Sequence, residues 1–341
     1  MQNISLLYSQ EWNHLIMRKN LPHAILISGQ KGVGQYEFAS LFAQYLLCEN
    51  EFKKDKACGH CQACLWCLKK QHPDLRELLP ANLMEQTDLK KNPSAFILIE
   101  QVRQIADFLY LSTHRQGLRI VLIYPAESMN INAANAILKS LEEPIPNTLF
   151  LLATQQKEKL LPTIQSRCQE LHLKTPAFET ALNYLKENHF DLKKARDALS
   201  FFSGAPILAE QALKKGFFET EWLNELIKNL NQGLQINPFQ AAKLLDKILK
   251  EKTIDLIQLA DALQKWLFDL ILLNFTGKNR FYQQQINMQK NLKINLHRLI
   301  LFYEHFLKQK KQLSQPLNAK LFLERFFFNY QTLFYNAPSM H

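Results

Sequence analysis

A glycine-rich segment between a short apolar run and a helical pattern constrains the fold of this 341-residue chain more than any other feature. The apolar run, residues 24–27, is bounded by Pro22 and Gly29, and such a run predicts a short, buried strand. The segment at residues 29–36 reads GQKGVGQY, and apolar residues at helical spacing continue from there to residue 47. The sequence therefore predicts a strand, a tight loop and a helix in direct succession.

Strand and helix patterns alternate through the first half of the chain and then give way to helices. A buried strand is predicted at residues 119–124, further strands at residues 149–153 and 169–173, and helices at residues 36–47, 97–111 and 132–143. This alternation predicts a parallel sheet covered by helices, that is, an α/β domain. After about Thr175 we expect no strand, and helices at residues 178–188 and 192–202 begin an all-α second half.

The glycine-rich segment has the position of a phosphate-binding loop but lacks the side chains that such a loop uses. Gly29, Gly32 and Gly34 would allow backbone N–H groups to surround phosphates at a helix N-terminus. Gln35 stands where the phosphate-binding lysine belongs, and it carries no charge. Tyr36 stands where a small hydroxyl would bind magnesium. The loop is therefore expected to be degenerate.

Acidic residues at the end of a strand, the second half of a nucleotide site, are also missing. The strand predicted at residues 119–124 ends in Tyr124 and is followed by Pro125, and neither side chain can hold magnesium or polarise water. These two losses predict that the chain has no ATP of its own and no intrinsic ATPase activity. A simpler interpretation stays open, in which the glycines only form a turn.

Five of the six cysteines lie between Cys48 and Cys67, which favours a metal site over a disulfide framework. Cys58, Cys61 and Cys64 follow at regular short spacing, and a structural zinc site needs a fourth ligand. We expect Cys48 to be that ligand, with Cys67 as a competitor. Two histidines are weaker candidates: His60 and His72. Four thiolates leave no open position for water, so the predicted zinc is structural; an iron–sulfur cluster is the alternative.

The formal net charge of +10 is concentrated towards the end of the sequence. Residues 278–341 contain ten lysines and arginines against two glutamates, a net charge of +8. Such a region would face DNA or an acidic partner, or would be a solvated helical face. No signal peptide or membrane span is expected, since the most apolar stretch, residues 266–275, is short and contains Asp269. We therefore expect a cytoplasmic protein.

Three segments of the first half resemble a known family. They read AANAILKSLEEP at residues 133–144, TLFLLAT at residues 148–154 and LLPTIQSRC at residues 160–168. Together they resemble clamp-loader subunits of the AAA+ family, and the resemblance covers about residues 23–173. It implies a degenerate RecA-like P-loop domain at residues 1–174 with a zinc module at about 48–67, a small helical lid at 175–212, and a helical collar for oligomerisation at 213–341.

The resemblance also implies a function in the clamp loader of bacterial DNA polymerase III. Ser166, Arg167 and Cys168 resemble the arginine-finger motif, so Arg167 would act in trans on the ATP of a neighbouring subunit. Without that role, Arg167 would pair with a local carboxylate such as Glu170. The turn at residues 203–207 has no arginine to sense a bound nucleotide, which fits a subunit that works without its own ATP.

The implied partners are the gamma/tau ATPase subunits, the delta subunit, the sliding clamp and, through the complex, primed DNA. Two other functions stay open. One is an active motor ATPase of the gamma/tau type, although the residues at positions 35, 36, 124 and 125 speak against it. The other is a zinc-containing module that binds nucleic acid by itself.

Overall fold

The computed structural model describes residues 4–50, 55–84, 94–110, 117–217, 221–251, 254–282, 286, 292–313 and 318–336. The chain divides into two units. The first comprises Met1–His189 with Gly204–Leu208, and the second comprises Phe190–Ser203 with Ala209–His341. The division into three parts, after residues 174 and 212, stays a prediction.

The first unit alternates strands and helices as the sequence predicts. Its elements are α1 (Ile4–Leu7), α2 (Ser9–Ile16), β1 (Ala24–Gly29), α3 (Gln35–Leu47), α4 (Gln62–Leu68), β2 (Leu75–Leu78), α5 (Ile99–Tyr110), β3 (Arg119–Ile123), α6 (Ile131–Glu142), β4 (Thr148–Thr154), α7 (Pro162–Gln165), β5 (Gln169–Leu173) and α8 (Phe178–Glu187). The predicted strands are present, and their ends differ from the predicted ends by at most two residues. For β1, β3 and β4 this agreement reflects how strongly burial restricts residue type in a parallel sheet.

The five strands form one parallel sheet in the order β2-β3-β4-β1-β5. The central strands β1 and β4 are buried along their whole length. On one face Val121 and Phe150 pack in a common core with Ile105 of α5 and Ile137 of α6. Because all strands are parallel, the chain segments that leave β1, β3 and β4 lie at the same edge of the sheet. That edge carries the degenerate loop.

The sequence patterns missed one strand of this sheet. β2, Leu75–Leu78, pairs with β3 and forms an edge of the sheet. Only Leu75 and Leu78 are buried in it, while Arg76 is exposed and Glu77 is half-buried. Two apolar residues in four do not make a recognisable period. Pairing with β3, and not a local pattern, therefore determines that these residues form a strand.

The second unit is mostly helical. Its elements are α9 (Leu192–Phe201), α10 (Pro206–Lys214, whose first residues count with the first unit), α11 (Glu221–Asn231), α12 (Pro238–Lys250), α13 (Leu256–Thr276), β6 (Leu292–Ile294), α14 (Leu296–Lys310), α15 (Ala319–Gln331) and β7 (Phe334–Asn336). The prediction that strands stop after Thr175 is wrong, because β6 and β7 pair in antiparallel fashion with Lys293 opposite Tyr335. A three-residue strand is too short for its alternation to stand out.

The core of the second unit is aromatic and is ordered by a few buried polar contacts. Trp266 Nε1 donates to Tyr330 Oη at 2.9 Å, and Tyr330 Oη donates to the carbonyl oxygen of Leu230 at 2.9 Å. Asp269 is fully buried in α13 and accepts three backbone N–H groups. Among the helices that the structure describes, none has the length and apolarity to cross a bilayer.

Candidate functional site

The loop between β1 and α3 has the backbone of a phosphate-binding loop. Gly32 and Gly34 have φ of 84° and 103°, a conformation that side chains with a Cβ rarely adopt. Gly34 is the N-cap residue of α3. An added Cβ at Gly29 would lie 2.6 Å from the carbonyl oxygen of Leu173 in β5. The three glycines are thus required by this path of the chain, whatever the loop binds.

Gln35 closes the loop from within. Its side chain is 2% exposed, and its amide nitrogen donates to the carbonyl oxygens of Gly29 at 2.6 Å and Gln30 at 2.9 Å. The carbonyl oxygen of Thr154, at the end of β4, lies 3.3 Å from the same nitrogen. A neutral amide can remain buried here because backbone carbonyls satisfy its donors. The side chain at the lysine position is therefore turned into the protein and away from any phosphate.

Apolar side chains cover the other side of the loop. The nearest Leu208 carbon lies only 2.3 Å from the position that a Cβ on Gly32 would take. Ile4 and Ile207 approach Gly34 in the same way. The backbone N–H of Ile207 donates to the carbonyl oxygen of Gly32 at 3.0 Å. Residues 32–35 are consequently buried, although phosphate-binding loops must leave their N–H groups open to the ligand.

An aromatic pair fills the place where a magnesium site would lie. The rings of Tyr36 and Tyr124 lie 5.1 Å apart between centroids, at an interplanar angle of 33°. The hydroxyl of Tyr36 donates to the Glu77 carboxylate at 3.1 Å, and Gln155 donates to the hydroxyl of Tyr124. Burial raises the pKa of Tyr124 to about 12, so its hydroxyl stays protonated at neutral pH.

Two carboxylates near this aromatic pair are already engaged within the chain. Burial raises the pKa of Glu77, although the Tyr36 hydrogen bond and Lys70 act in the opposite direction. Glu127 accepts from the Thr154 hydroxyl at 2.7 Å and from the backbone N–H of Gln155 at 3.1 Å, and so holds the end of β4. Sequence reasoning did not assign Glu77 to this region, because β2 has no pattern of its own.

The cysteine cluster is brought together by the end of α3, the following turn and α4. The sulfur atoms of Cys48, Cys58, Cys61 and Cys64 all lie within 4.8 Å of one another. Two of the separations are 3.9 Å, between Cys58 and Cys64, and 4.0 Å, between Cys48 and Cys61. Zinc–sulfur bonds of about 2.3 Å in a tetrahedron place sulfurs about 3.8 Å apart. The four thiols therefore fit a tetrahedral metal ion.

Backbone N–H groups direct the sulfur atoms inwards. The N–H groups of Cys58, Cys61 and Cys64 point to the sulfurs of Cys48, Cys58 and Cys61 at 3.4, 3.3 and 3.5 Å. For Cys58, burial raises the pKa, but backbone hydrogen bonds from His60 and Cys61 outweigh it and lower the pKa to about 6. Such a thiol is already largely a thiolate at neutral pH, which is the form that binds metals.

Cys67 does not belong to this group of four. Burial raises its pKa to about 12, so it stays a protonated thiol. The two histidines have other surroundings: His60 lies on the surface and His72 is buried, with Nδ1 accepting the backbone N–H of Asp74 at 3.0 Å. Cys168 is packed against the core beside α5 and α6, and burial raises its pKa to about 11.

Arg167 lies on the surface just after α7 and is about one-third exposed. Its Nη2 lies 2.5 Å from a carboxylate oxygen of Glu142, and its Nη1 donates to the carbonyl oxygen of Thr163 at 2.8 Å. Glu170, the local carboxylate named in the alternative interpretation of Arg167, binds Lys157 and accepts the Ser28 hydroxyl at 2.7 Å. Arg167 thus has a local carboxylate partner, but from α6 and not from the neighbouring strand.

The basic excess after residue 278 is partly neutralised where the structure describes it. Lys310 pairs with Asp261 and Lys320 lies 3.7 Å from Glu324. Lys308 and Lys311 are exposed beside a cavity of about 550 Å³ at the end of α14. Lys290 lies outside the described residues. This distribution leaves the choice between DNA, a partner and a solvated face open.

A family model described as "DNA polymerase III, delta subunit" matches residues 7–177, which is half of the chain. The chain belongs to this family. It is 36% identical over 198 residues to DNA polymerase III subunit delta' of Haemophilus influenzae, a match over 58% of this chain and 57% of that protein. It is 34% identical over 231 residues to the subunit of the same name from Pseudomonas aeruginosa, a match over 67% of each chain.

The fold has a solved counterpart. A DNA polymerase III gamma subunit-related protein from Thermotoga maritima superposes with a TM-score of 0.52 at 20% identity, over 96% of this chain and 99% of that one. The predicted fold class, an α/β domain followed by helices, is thereby confirmed. The predicted family is confirmed by the family model and by the curated relatives, which are named delta'. The match to the Haemophilus protein covers little more than half of that protein's length. The family model matches residues of the first unit.

Proposed function

We propose that this member of the delta' family is a subunit of the DNA polymerase III clamp loader that binds no ATP and supplies Arg167 to the ATP of a neighbouring subunit. The observation that carries the proposal is the closed loop. Gln35 fills its interior, Leu208 covers it, and residues 32–35 are buried. A phosphate could enter only if these contacts were broken.

The loss of the metal site points the same way. Magnesium in such sites is held by a small hydroxyl and an acidic residue at a strand end. Here those positions hold Tyr36 and Tyr124, which pack against each other, and Glu127 is used to hold β4. To bind a nucleotide, the chain would have to rebuild both halves of the site. A role that depends on a neighbour's nucleotide needs neither half.

Arg167 has the properties that a trans-acting arginine requires. It is permanently charged, it lies at the surface, and its planar guanidinium matches phosphate oxygens. Placed against a neighbour's γ-phosphate, it would stabilise the negative charge that develops during hydrolysis. The partners we propose are the gamma/tau and delta subunits, and through them the sliding clamp and primed DNA.

We further propose that Cys48, Cys58, Cys61 and Cys64 hold a structural zinc ion. Bound zinc would tie the end of α3 to α4 and would stabilise a segment with little core of its own. Because thiolates would take all four positions, this site is not expected to activate water. A cytoplasmic location is part of the same proposal.

The test is the ATPase activity of a reconstituted loader, stimulated by DNA and clamp, with wild-type chain or Arg167→Ala. We expect turnover at the site that Arg167 faces to fall by on the order of 10³-fold. Lys159→Ala, which removes an exposed cation near α7, is the matched control and should leave turnover unchanged. Size-exclusion chromatography checks that each variant still assembles. Unchanged turnover in an intact Arg167→Ala complex would reject the trans-acting role.

Nucleotide binding by the isolated chain tests the other half of the proposal. We expect no saturable binding of a fluorescent ATP analogue with magnesium. Tight binding, or turnover without a partner subunit, would indicate an active motor ATPase instead. Binding of DNA by the isolated chain, falling steeply with salt, would favour a nucleic-acid-binding module.

A further inference from the structure

Glu142 is the last residue of α6, and its carboxylate holds one side of the Arg167 guanidinium. Oε1 lies 2.5 Å from Nη2, and the two side chains are 48% and 33% exposed. On the other terminal nitrogen, Nη1 donates to the carbonyl oxygen of Thr163 at 2.8 Å and lies 3.4 Å from the Ser166 hydroxyl. The guanidinium is therefore fixed at both terminal nitrogens by its own chain.

The choice of carboxylate is specific. Glu170 is closer in sequence to Arg167, but it is bound to Lys157 and Ser28. Glu143 is adjacent to Glu142 and is exposed. α6 ends at Glu142, and α6 and α7 pack against each other in the same core through Ile137 and Ile164. The end of one helix is thus placed beside the arginine that follows the other.

A carboxylate and a phosphate compete for the same donors. Both are recognised through the N–H groups of the guanidinium fork. An exposed ion pair is weak and exchanges easily, whereas a phosphate group carries more negative charge than a carboxylate. A neighbour's phosphate that approached Arg167 would therefore replace Glu142, or share the guanidinium with it.

We infer that Glu142 is a positioning residue that occupies Arg167 until the phosphate of a neighbouring subunit takes its place. This inference rests on the proposed trans-acting role of Arg167. While the subunits are apart, the ion pair keeps the arginine side chain in a defined conformation. The carboxylate also offsets the positive charge at that place on the surface. Only when the neighbour's nucleotide is brought close does the exchange become favourable. The ion pair thus makes the arginine responsive to subunit closure.

The experiment compares Glu142→Gln with the matched control Glu143→Gln in a reconstituted loader, with and without DNA and clamp. Without the competing charge, unstimulated turnover should rise by about two- to five-fold, the range that a weak surface ion pair corresponds to. Turnover stimulated by DNA and clamp should stay the same, so the ratio of stimulated to unstimulated rates falls. Glu142→Asp keeps the charge and should resemble the wild type, as should Glu143→Gln.

Two results would overturn the inference. An unchanged ratio in Glu142→Gln would mean that the carboxylate has no influence on the arginine. A loss of stimulated turnover would mean that Glu142 is needed to align it during hydrolysis. If Arg167→Ala abolishes turnover while Glu142→Gln is silent, only this inference fails. If Arg167→Ala is silent as well, the proposed function fails with it.

A spectroscopic measurement on the isolated chain does not depend on activity. The NMR signal of the Nε–Hε group of Arg167 is assigned by its absence from Arg167→Lys. Its chemical shift and line width in Glu142→Gln should differ from those in the wild type, because the guanidinium rotates more freely without its partner. Inorganic phosphate should perturb the same signal at a lower concentration in Glu142→Gln than in the wild type, because no carboxylate then competes for the guanidinium. A signal that ignores Glu142→Gln would show that the pair does not form in solution.

Discussion

The side-chain amide of Gln35 lies 2.6 Å from the carbonyl oxygen of Gly29, so the residue at the lysine position of the loop holds the loop closed. In an active site that position reaches outwards to phosphate. Here the Gln35 amide donates to backbone carbonyl oxygens at the ends of β1 and β4. The substitution therefore does more than remove a charge, since it gives the empty loop an internal support.

Replacing Gln35 with leucine should destabilise the first unit by about 1–3 kcal/mol, because buried carbonyl groups lose their donor. Thermal unfolding followed by circular dichroism measures the effect. Lys31→Leu, an exposed change in the same loop, is the control and should stay within about 0.5 kcal/mol of the wild type. Equal melting temperatures for the wild type and Gln35→Leu would contradict the internal support.

Gly32→Ala should cost more than Gly117→Ala, although both residues have positive φ, of 84° and 69°. The strain of that conformation is about 1–2 kcal/mol at either position. At Gly32 the new methyl group would also meet Leu208, whereas at Gly117 no atom of the described residues lies within 4 Å of it. The free energy of unfolding in urea gives both costs. Adding Leu208→Ala should recover part of the difference, and no recovery would mean that Leu208 does not cover the loop.

The sequence was sufficient for four of the five strands of the sheet and for the side chains that the loop lacks. Runs such as residues 149–153 leave few alternatives to a buried strand, and the spacing of Gln35 and Tyr36 from the glycines is local. The cover formed by Leu208 is not local, because it comes from a segment far along the chain. No periodic pattern marks such a contact, so the closed state of the loop had to come from the structure.

The partner of Arg167 illustrates the same limit. Sequence proximity favoured Glu170, but its carboxylate is bound by Lys157 and Ser28. The packing of α6 beside α7 brings Glu142 to the arginine instead. The cysteines were easier to predict, since three of the four lie within one short turn and a helix start. The structure groups them with Cys48, while the metal itself stays a prediction.

Purified protein should contain about one zinc ion per chain, and Cys48→Ser should lose it while Cys67→Ser retains it. The reason is geometric, because Cys48 lies in the group of four and Cys67 does not. Metal content measured by mass spectrometry after gel filtration distinguishes the variants. A chelator should lower the melting temperature of the wild type. Zinc loss from Cys67→Ser with retention in Cys48→Ser would reverse the ligand assignment.

The ionisation of Glu77 should make the first unit less stable as the pH rises above 4.5, the ordinary pKa of this carboxyl group. Its folded-state pKa is raised from 4.5, mainly by burial, so the folded chain binds more protons than the unfolded chain. That contribution to stability is complete below pH 4.5 and is lost as the pH rises through the folded-state pKa. Glu77→Gln should therefore flatten the fall in melting temperature above this pH and be more stable at neutral pH. Glu158→Gln, an exposed control, should keep the wild-type slope.

Asp269→Ala should be among the most destabilising single changes in the second unit. The carboxylate is fully buried and accepts the backbone N–H groups of Arg280, Phe281 and Tyr282 at 3.0, 2.8 and 2.7 Å. Three buried donors would lose their acceptor together, at a cost of at least about 3 kcal/mol. Asp261→Ala removes an exposed carboxylate that is paired with Lys310 and lies eight residues earlier on the same helix, and it should cost under about 1 kcal/mol. Similar melting temperatures for the two variants would mean that the turn after α13 is not held by Asp269.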